Sequence, residues 1–181
     1  LITGAPGAAL LYAVLAAAAW PHRESSREAP AAWLPIAWAV VWSGAADFQA
    51  LPGQNTGQAV ASALTAGSGS APGWLTSLDD SSAAWAAQHS PLVVIGLVAA
   101  EALIGVGALA GRTRALAVTG GLALTLAIWV LGQNLGQLYT GQATDPNSGP
   151  ALALMAIAVL SAGGRLSLRG HQFRGPARAA P

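Results

Sequence analysis

The chain has 181 residues, of which 54% are hydrophobic and only 8% are charged, and its formal net charge is +1. Because soluble domains usually contain about a quarter charged residues, this chain has too little polar surface to cover a water-facing globule. The sequence has no Cys, which excludes disulfides, thiolate metal sites and thiol nucleophiles. The composition is therefore typical of a membrane protein.

The first two apolar segments have the length of membrane-spanning helices, which is about 20 residues. Residues 1–20 have no basic leader or cleavage site, so they are interpreted as a span, with a signal-peptide core as the alternative. Because residue 1 is Leu, we expect the natural chain to begin upstream. A charged loop at 21–30 precedes the second span, 31–48, whose Trp38 lies too deep for an interfacial belt and is expected to pack inside the bundle.

Residues 49–90 form the one long connection between predicted spans, and they are rich in Gly, Ser, Gln, Asn and Pro. Since a structureless loop of this length is unusual in a compact protein, we expect a small folded cap on the outer membrane surface. Helical turns are predicted near 57–66 and 72–87. The second segment carries Trp74 and Trp85, whose apolar area would be costly to leave in water.

Three more spans follow in the second half of the chain. They cover 91–110, 115–139 and 149–164, and a short GRTR turn separates the first two of them. The predicted fold class is therefore all-α. We expect a polytopic transmembrane bundle of about five spans that forms a single membrane domain, with a small helical loop outside and a basic cytoplasmic tail at 165–181.

The positive charges are all Arg, and all of them flank the same side of the predicted spans. They are Arg23, Arg27, Arg112, Arg114, Arg165, Arg169, Arg174 and Arg178. Because cytoplasmic loops of membrane proteins are enriched in positive residues, the C-terminus is predicted to be cytoplasmic and the loops 49–90 and 140–149 to face outward. The composition indicates a bacterial inner membrane, with membrane lipids and not nucleic acid as partners.

Glu101 lies midway along the third predicted span. A carboxyl at the bilayer centre costs about 2.5–3.5 kcal/mol on insertion scales, so we expect Glu101 to face other helices. No Arg or Lys lies in a span to pair with it, and Thr125 on the antiparallel fourth span should lie at a similar depth. Two interpretations stay open: a candidate catalytic carboxyl that handles protons or contacts a ligand, and a structural carboxyl that hydrogen-bonds neighbouring helices.

A second polar cluster is predicted at the outer end of the bundle. Gln133, Asn134 and Gln137 follow Trp129 along the fourth span, and Gln133 and Gln137 are predicted to share one helix face. Asp47 ends the second span at a comparable depth. These amides are candidates for binding a quinone carbonyl or a lipid head group between aromatic walls, and the alternative is that they join helices. No metal site is predicted, because the three His lie on different sides or loops, and no covalently bound cofactor is expected.

The order of these segments resembles the DoxX-like integral membrane proteins, which have a four-helix core. The resemblance rests on EALIGVGALAGRTRALA, which carries Glu101 and Gly105 before Arg112 and Arg114, on the PGWL of the long outer loop, and on WVLGQNLGQLYTGQATDPNSGP before the last span. Asp47 stands where the family often has Lys, and the first span is additional to the core. The resemblance implies a quinone-linked or redox-associated membrane subunit.

Three functions stay open at this point. The first is a small integral subunit of a bacterial redox or respiratory-type complex that contacts quinone. Such a subunit would not be catalytic alone, since the chain has no Cys and no facing His pair to hold an electron cofactor. The second is a structural or assembly subunit, and the third is a small-solute or proton-coupled carrier that uses Glu101. The expected protein partners are other subunits of a membrane complex or further copies of the chain.

Overall fold

The structure is a computed structural model and describes residues 5–19, 33–141, 143 and 146–172. Within these ranges every regular element is helical, which confirms the all-α fold class. The α-helices are α1 (Ala5–Ala19), α2 (Leu34–Ala50), α3 (Gly57–Thr65), α4 (Gly73–Gln88), α5 (Ser90–Gly107), α6 (Arg114–Leu131) and α7 (Ser148–Gln172). The charged loop 21–30 and the end of the predicted tail lie outside the described residues.

The long apolar helices form a bundle around a core of aromatic and aliphatic side chains. Helix α2 packs mainly against α5, α6 packs against α7, and α1 also packs against α7. Trp38 of α2, Val118 of α6 and Met155 of α7 have no exposed surface and lie at the centre of this core. The prediction that Trp38 packs inside the bundle is therefore confirmed.

The two short helices α3 and α4 pack against each other and form the cap predicted between the second and third spans. The Thr56 side chain caps α3 by accepting a 3.1 Å hydrogen bond from the Ala59 backbone N–H. The Gly57 backbone N–H donates to Ser90 Oγ at 2.6 Å, which ties the start of α3 to the start of α5. The predicted helical turns near 57–66 and 72–87 are confirmed.

Two helix ends differ from the sequence prediction. Helix α6 ends at Leu131, whereas the predicted fourth span, 115–139, continued to residue 139. The reason is a change of backbone hand, because φ is positive at four successive residues, from 48° at Asn134 to 58° at Gln137. Helix α7 continues to Gln172, beyond the predicted end at 164, because no Pro interrupts the helix in that stretch.

Two of the described helices, α5 and α6, are long and apolar enough to cross a membrane, with 18 residues each. The segment Ser148–Ser161 of α7 is apolar but shorter than this length. Helices α1 and α2 have 15 and 17 residues. By length and composition, the described residues therefore contain two candidate membrane spans.

Candidate functional site

Glu101 lies on α5 and points into the bundle, with 8% of its surface exposed. Thr125, which was expected at a similar depth on α6, is 2% exposed. The prediction that Glu101 faces other helices is therefore confirmed. Its neighbours follow from close helix contacts that fix the relative heights of α2, α5 and α6.

The first of these contacts joins all three helices at the level of Gly121 on α6. A Cβ atom at Gly121 would lie 2.5 Å from Cζ2 of Trp38 on α2 and 2.7 Å from Cγ2 of Ile104 on α5. A Cβ at Gly105 would lie 2.7 Å from Ser43 Oγ. These glycines let the three helices approach closely, so Trp38, Ile104 and Gly121 share one level of the bundle.

Counting turns along the three helices places Trp42, Glu101 and Thr125 at the next level toward the cap. Helices α2 and α6 run in the same direction and α5 runs opposite, because the start of α5 is bonded to the residue that opens α3 and a short turn joins α5 to α6. Trp42 and Thr125 therefore lie one turn beyond Trp38 and Gly121, and Glu101 lies about one turn before Ile104. Three helices thus bring these polar side chains to one height.

The polar atoms at this level have no hydrogen-bond partner in the described part of the chain. They are Glu101 Oε2, Thr125 Oγ1 and the indole nitrogen of Trp42. The indole nitrogen of Trp38, one turn away, also has no hydrogen-bond partner there. Buried polar groups are nearly always hydrogen-bonded, so several unpaired polar atoms at one level require an explanation. A carboxyl, a hydroxyl and two indole N–H groups together offer donors and acceptors for a small polar molecule such as water.

The predicted outer cluster is divided by the structure. Gln133 has both ends of its amide engaged: Nε2 donates to Ser148 Oγ at 2.7 Å, and Oε1 accepts from the Gly149 N–H at 3.2 Å. Trp129 donates from Nε1 to the Pro146 carbonyl at 2.9 Å, and Gly149 packs against its ring. Both side chains therefore hold the start of α7 against the end of α6.

The other members of that cluster face different surroundings. Asn134 is fully buried, whereas Gln137 and Asp47 are exposed. The prediction that Gln133 and Gln137 share one helix face is wrong, because α6 ends before both of them and the backbone turns left-handed in between. No single helix face therefore presents these amides to a ligand.

Asp79 on α4 is a carboxyl whose burial was not predicted from the sequence. It has no exposed surface, and neither of its oxygens has a hydrogen-bond partner in the described part of the chain. Burial raises the pKa of Asp79 above its usual range; the adjacent Asn134 amide lowers it, and the charge of Asp80 raises it again. The Asn134 amide lies close enough to lower the pKa of the carboxyl, but the two side chains make no hydrogen bond of ordinary length and angle.

The signal that would have found Asp79 is helical spacing. Leu75, Asp79, Ala83 and Ala86 recur on one face of α4, and all four are buried. Trp74 and Trp85 belong to a different face of the same helix and are largely exposed. The packed face of α4 is therefore formed by its smaller side chains and not by its Trp residues.

The turn that carries Asn134 is strained. A left-handed backbone costs about 1–2 kcal/mol for each residue with a Cβ atom, and Leu135 and Gln137 both adopt it. Gly136 is required between them, because a Cβ there would lie 2.5 Å from the Pro146 carbonyl oxygen. Such strain persists only where neighbouring contacts determine the conformation, here through Pro146 and the buried Asn134.

No group of three or more His, Cys, Asp or Glu able to hold a metal ion occurs among the residues that the structure describes. Comparisons of the chain with protein-family models, with curated proteins and with solved structures give no match. The resemblance to the DoxX-like proteins therefore stays a prediction.

Proposed function

We propose that the protein is a multi-pass integral membrane protein of about five spans, formed by α1, α2, α5, α6 and α7. We further propose that it serves as a structural or assembly subunit of a complex in a bacterial inner membrane. The bundle provides the fixed membrane scaffold, and the α3–α4 cap covers its outer end.

The observation that carries this proposal is the exposure of the most apolar helices. Only 22% of the 18-residue stretch Ser90–Gly107 of α5, and 17% of the stretch Arg114–Leu131 of α6, is buried inside the protein. The core helix of a soluble protein of the same composition would be mostly buried. The exposed large side chains on the proposed spans include Leu10, Ile36, Val40, Leu92, Ile95, Leu103, Val106, Leu116, Leu154 and Ile157. Apolar patches on this scale require a solvent other than water.

The orientation proposed for the bundle rests on the turn between α5 and α6. Arg112 is exposed in this turn, as the positive-inside rule expects of a cytoplasmic loop. Arg114 also has a structural task, since its Nε donates to the Ala108 carbonyl at 2.9 Å and thereby satisfies the end of α5. The cap then lies on the outer side of the membrane.

The structural role is favoured over contact with quinone by the bonds of Gln133 and Trp129. A quinone site needs a donor with a free hydrogen-bonding position beside an open apolar crevice. Gln133 bonds to the start of α7 with both ends of its amide, and Trp129 donates its N–H to Pro146. Both groups act as joints between helices.

Cysteine accessibility tests the membrane topology, and the chain is well suited to it because it has no Cys of its own. Cys introduced at Ser70, on the exposed side of the cap, should react with an impermeant thiol reagent in intact spheroplasts. Cys introduced at Gly111, in the exposed turn between α5 and α6, should react only after permeabilisation. The reverse labelling contradicts the orientation, and labelling of both sites in intact cells contradicts the spans.

Purification in a mild detergent tests the subunit role. We expect the protein to elute with stoichiometric partner proteins or as a defined oligomer, and mass spectrometry would identify the components. A monomeric protein that retains quinone, with no protein partner, would contradict the structural role and support the redox hypothesis.

A second candidate function is a proton-coupled or small-solute carrier, favoured by the unpartnered polar atoms of Glu101, Thr125 and Trp42. In proteoliposomes, such a carrier would move protons or a polar solute across the membrane. Glu101→Gln should abolish this transport and leave the bundle assembled. Thr125→Val should lower the transport rate while keeping the side-chain volume. If both variants assemble and no flux is measured for the wild type either, Glu101 is a structural carboxyl.

A further inference from the structure

Helix α4 has an exposed apolar face that its own bundle leaves uncovered. Successive residues are about 100° apart around a helix, so Trp74, Leu78 and Trp85 lie within about 40° of one another. Their side chains are 60%, 43% and 52% exposed. Ser81 is the residue between them on this face, and no charged side chain of α4 lies there, since Asp80 lies on the far side of the helix.

The direction of this face follows from the packing of the rest of α4. The buried face, formed by Leu75, Asp79, Ala83 and Ala86, is turned about 115° around the helix axis from the face that carries the Trp residues. It rests on α3 and on the outer end of α6. The face formed by Trp74, Leu78 and Trp85 is therefore turned away from the helices on which α4 packs.

This face continues into the apolar surface of α5. The ring of Trp85 stacks on His89, with ring centroids 4.9 Å apart and an angle of 25° between the planes. His89 Nδ1 is also 2.9 Å from the Trp85 carbonyl, and the next residue, Ser90, begins α5. Leu92, three residues beyond His89, is among the exposed apolar residues of α5. The Trp face thus lies directly beside the surface assigned to lipid.

We propose that Trp74, Leu78 and Trp85 form a lipid-binding face that inserts into the boundary between head groups and acyl chains of the outer leaflet. The inference rests on the proposed membrane location. Trp is enriched at this boundary because its ring is apolar and its N–H bonds to the polar layer. A helix that lies in the interface presents one apolar face to the acyl chains and keeps its charges on other faces, as α4 does.

The lipid boundary fits this face better than a second copy of the chain. A stable protein interface buries about 800 Å² on each partner, far more than three partly exposed side chains supply. The face is also a narrow stripe along one helix, whereas a protein interface is a broad patch with a polar rim. In the proposed role, α4 fixes the depth of the bundle in the membrane and holds the cap at the surface.

Site-directed spin labelling tests the proposal in the full chain, reconstituted in phosphatidylcholine–phosphatidylglycerol vesicles. A nitroxide at Leu78→Cys reports on the proposed face. Ala87→Cys is the matched control, because residue 87 is exposed and lies about 180° from residue 78 around the same helix. Leu103→Cys, on the exposed apolar surface of α5, reports separately on the proposed spans.

At Leu78 we expect frequent collisions with oxygen, which partitions into lipid, and at least several-fold fewer with a water-soluble nickel chelate than at Ala87. Equal water accessibility at Leu78 and Ala87, with Leu103 in lipid, would overturn this inference and leave the membrane proposal intact. Water accessibility at Leu103 would overturn both. Shielding of Leu78 from both reagents, with broadening from a second spin label, would show that another copy covers the face, which also overturns the inference.

Discussion

At the scale of single residues, Asp79 is the least expected feature, because burial raises the pKa of a carboxyl that has no bonded partner. The folded state therefore holds the Asp79 proton more tightly than the unfolded chain, whose ordinary value is 3.8. This contribution to stability is complete below that value and is lost as the pH rises through the higher folded value.

Asp79→Asn should remove this pH dependence and raise the stability of the protein at neutral pH, because the amide cannot ionise. Thermal unfolding in detergent across the acidic range would measure it. Asp80→Asn is the matched control, since Asp80 is the exposed neighbour, and it should change the profile much less. Identical pH profiles for wild type and Asp79→Asn would show that Asp79 does not titrate on unfolding.

Adjacent glycines of α6 provide a second test at this scale. A Cβ at Gly121 would lie within 2.7 Å of both Trp38 and Ile104, whereas nothing lies within 4 Å of a Cβ at Gly120. Gly121→Ala should therefore destabilise the bundle by about 1–3 kcal/mol through overpacking. Gly120→Ala should be neutral, or stabilising by up to about 1 kcal/mol from helix propensity. Equal melting temperatures for the two variants would contradict the close contact of α2, α5 and α6.

At the scale of elements, the joint between α6 and α7 depends on Gln133. Gln133→Ala removes two hydrogen bonds to the start of α7 and should cost about 1–3 kcal/mol in thermal or denaturant unfolding. Gln137→Ala removes an exposed amide and should have little effect. If the two variants instead weaken quinone retention equally and leave stability unchanged, the amides belong to a ligand site and not to a joint.

How far each element could be predicted depended on whether local or distant contacts determine it. The cap helices followed from local sequence patterns, such as the roughly helical spacing of Trp74, Leu78 and Trp85 in α4. The depth of Trp38 and Glu101 followed from counting along regular helices. The end of α6 did not, because the left-handed turn at Asn134–Gln137 is held by Pro146, which is distant in sequence.

The candidate sites were predicted to the same limited extent. Counting residues from the GRTR turn brings Thr125 to the depth of Glu101, and both are buried. The prediction that Gln133 and Gln137 share one face assumed a continuous helix. The left-handed backbone between them breaks that helix. Gln133 therefore meets Ser148 across 15 residues of sequence, a contact that helical periodicity alone cannot provide.

At the scale of the whole molecule, the free-energy cost of a charged substitution on the surface depends on whether water or lipid surrounds the bundle. Leu103 is exposed on α5, so in water Leu103→Asp would be nearly neutral. In the bilayer the same change should cost about 2.5–3.5 kcal/mol and should markedly lower the yield of folded, membrane-inserted protein. Leu51→Asp, at an exposed position just after α2 on the proposed outer side, should be tolerated. The yield of monodisperse protein extracted from membranes measures both, and equal tolerance of the two changes would contradict a lipid-facing α5.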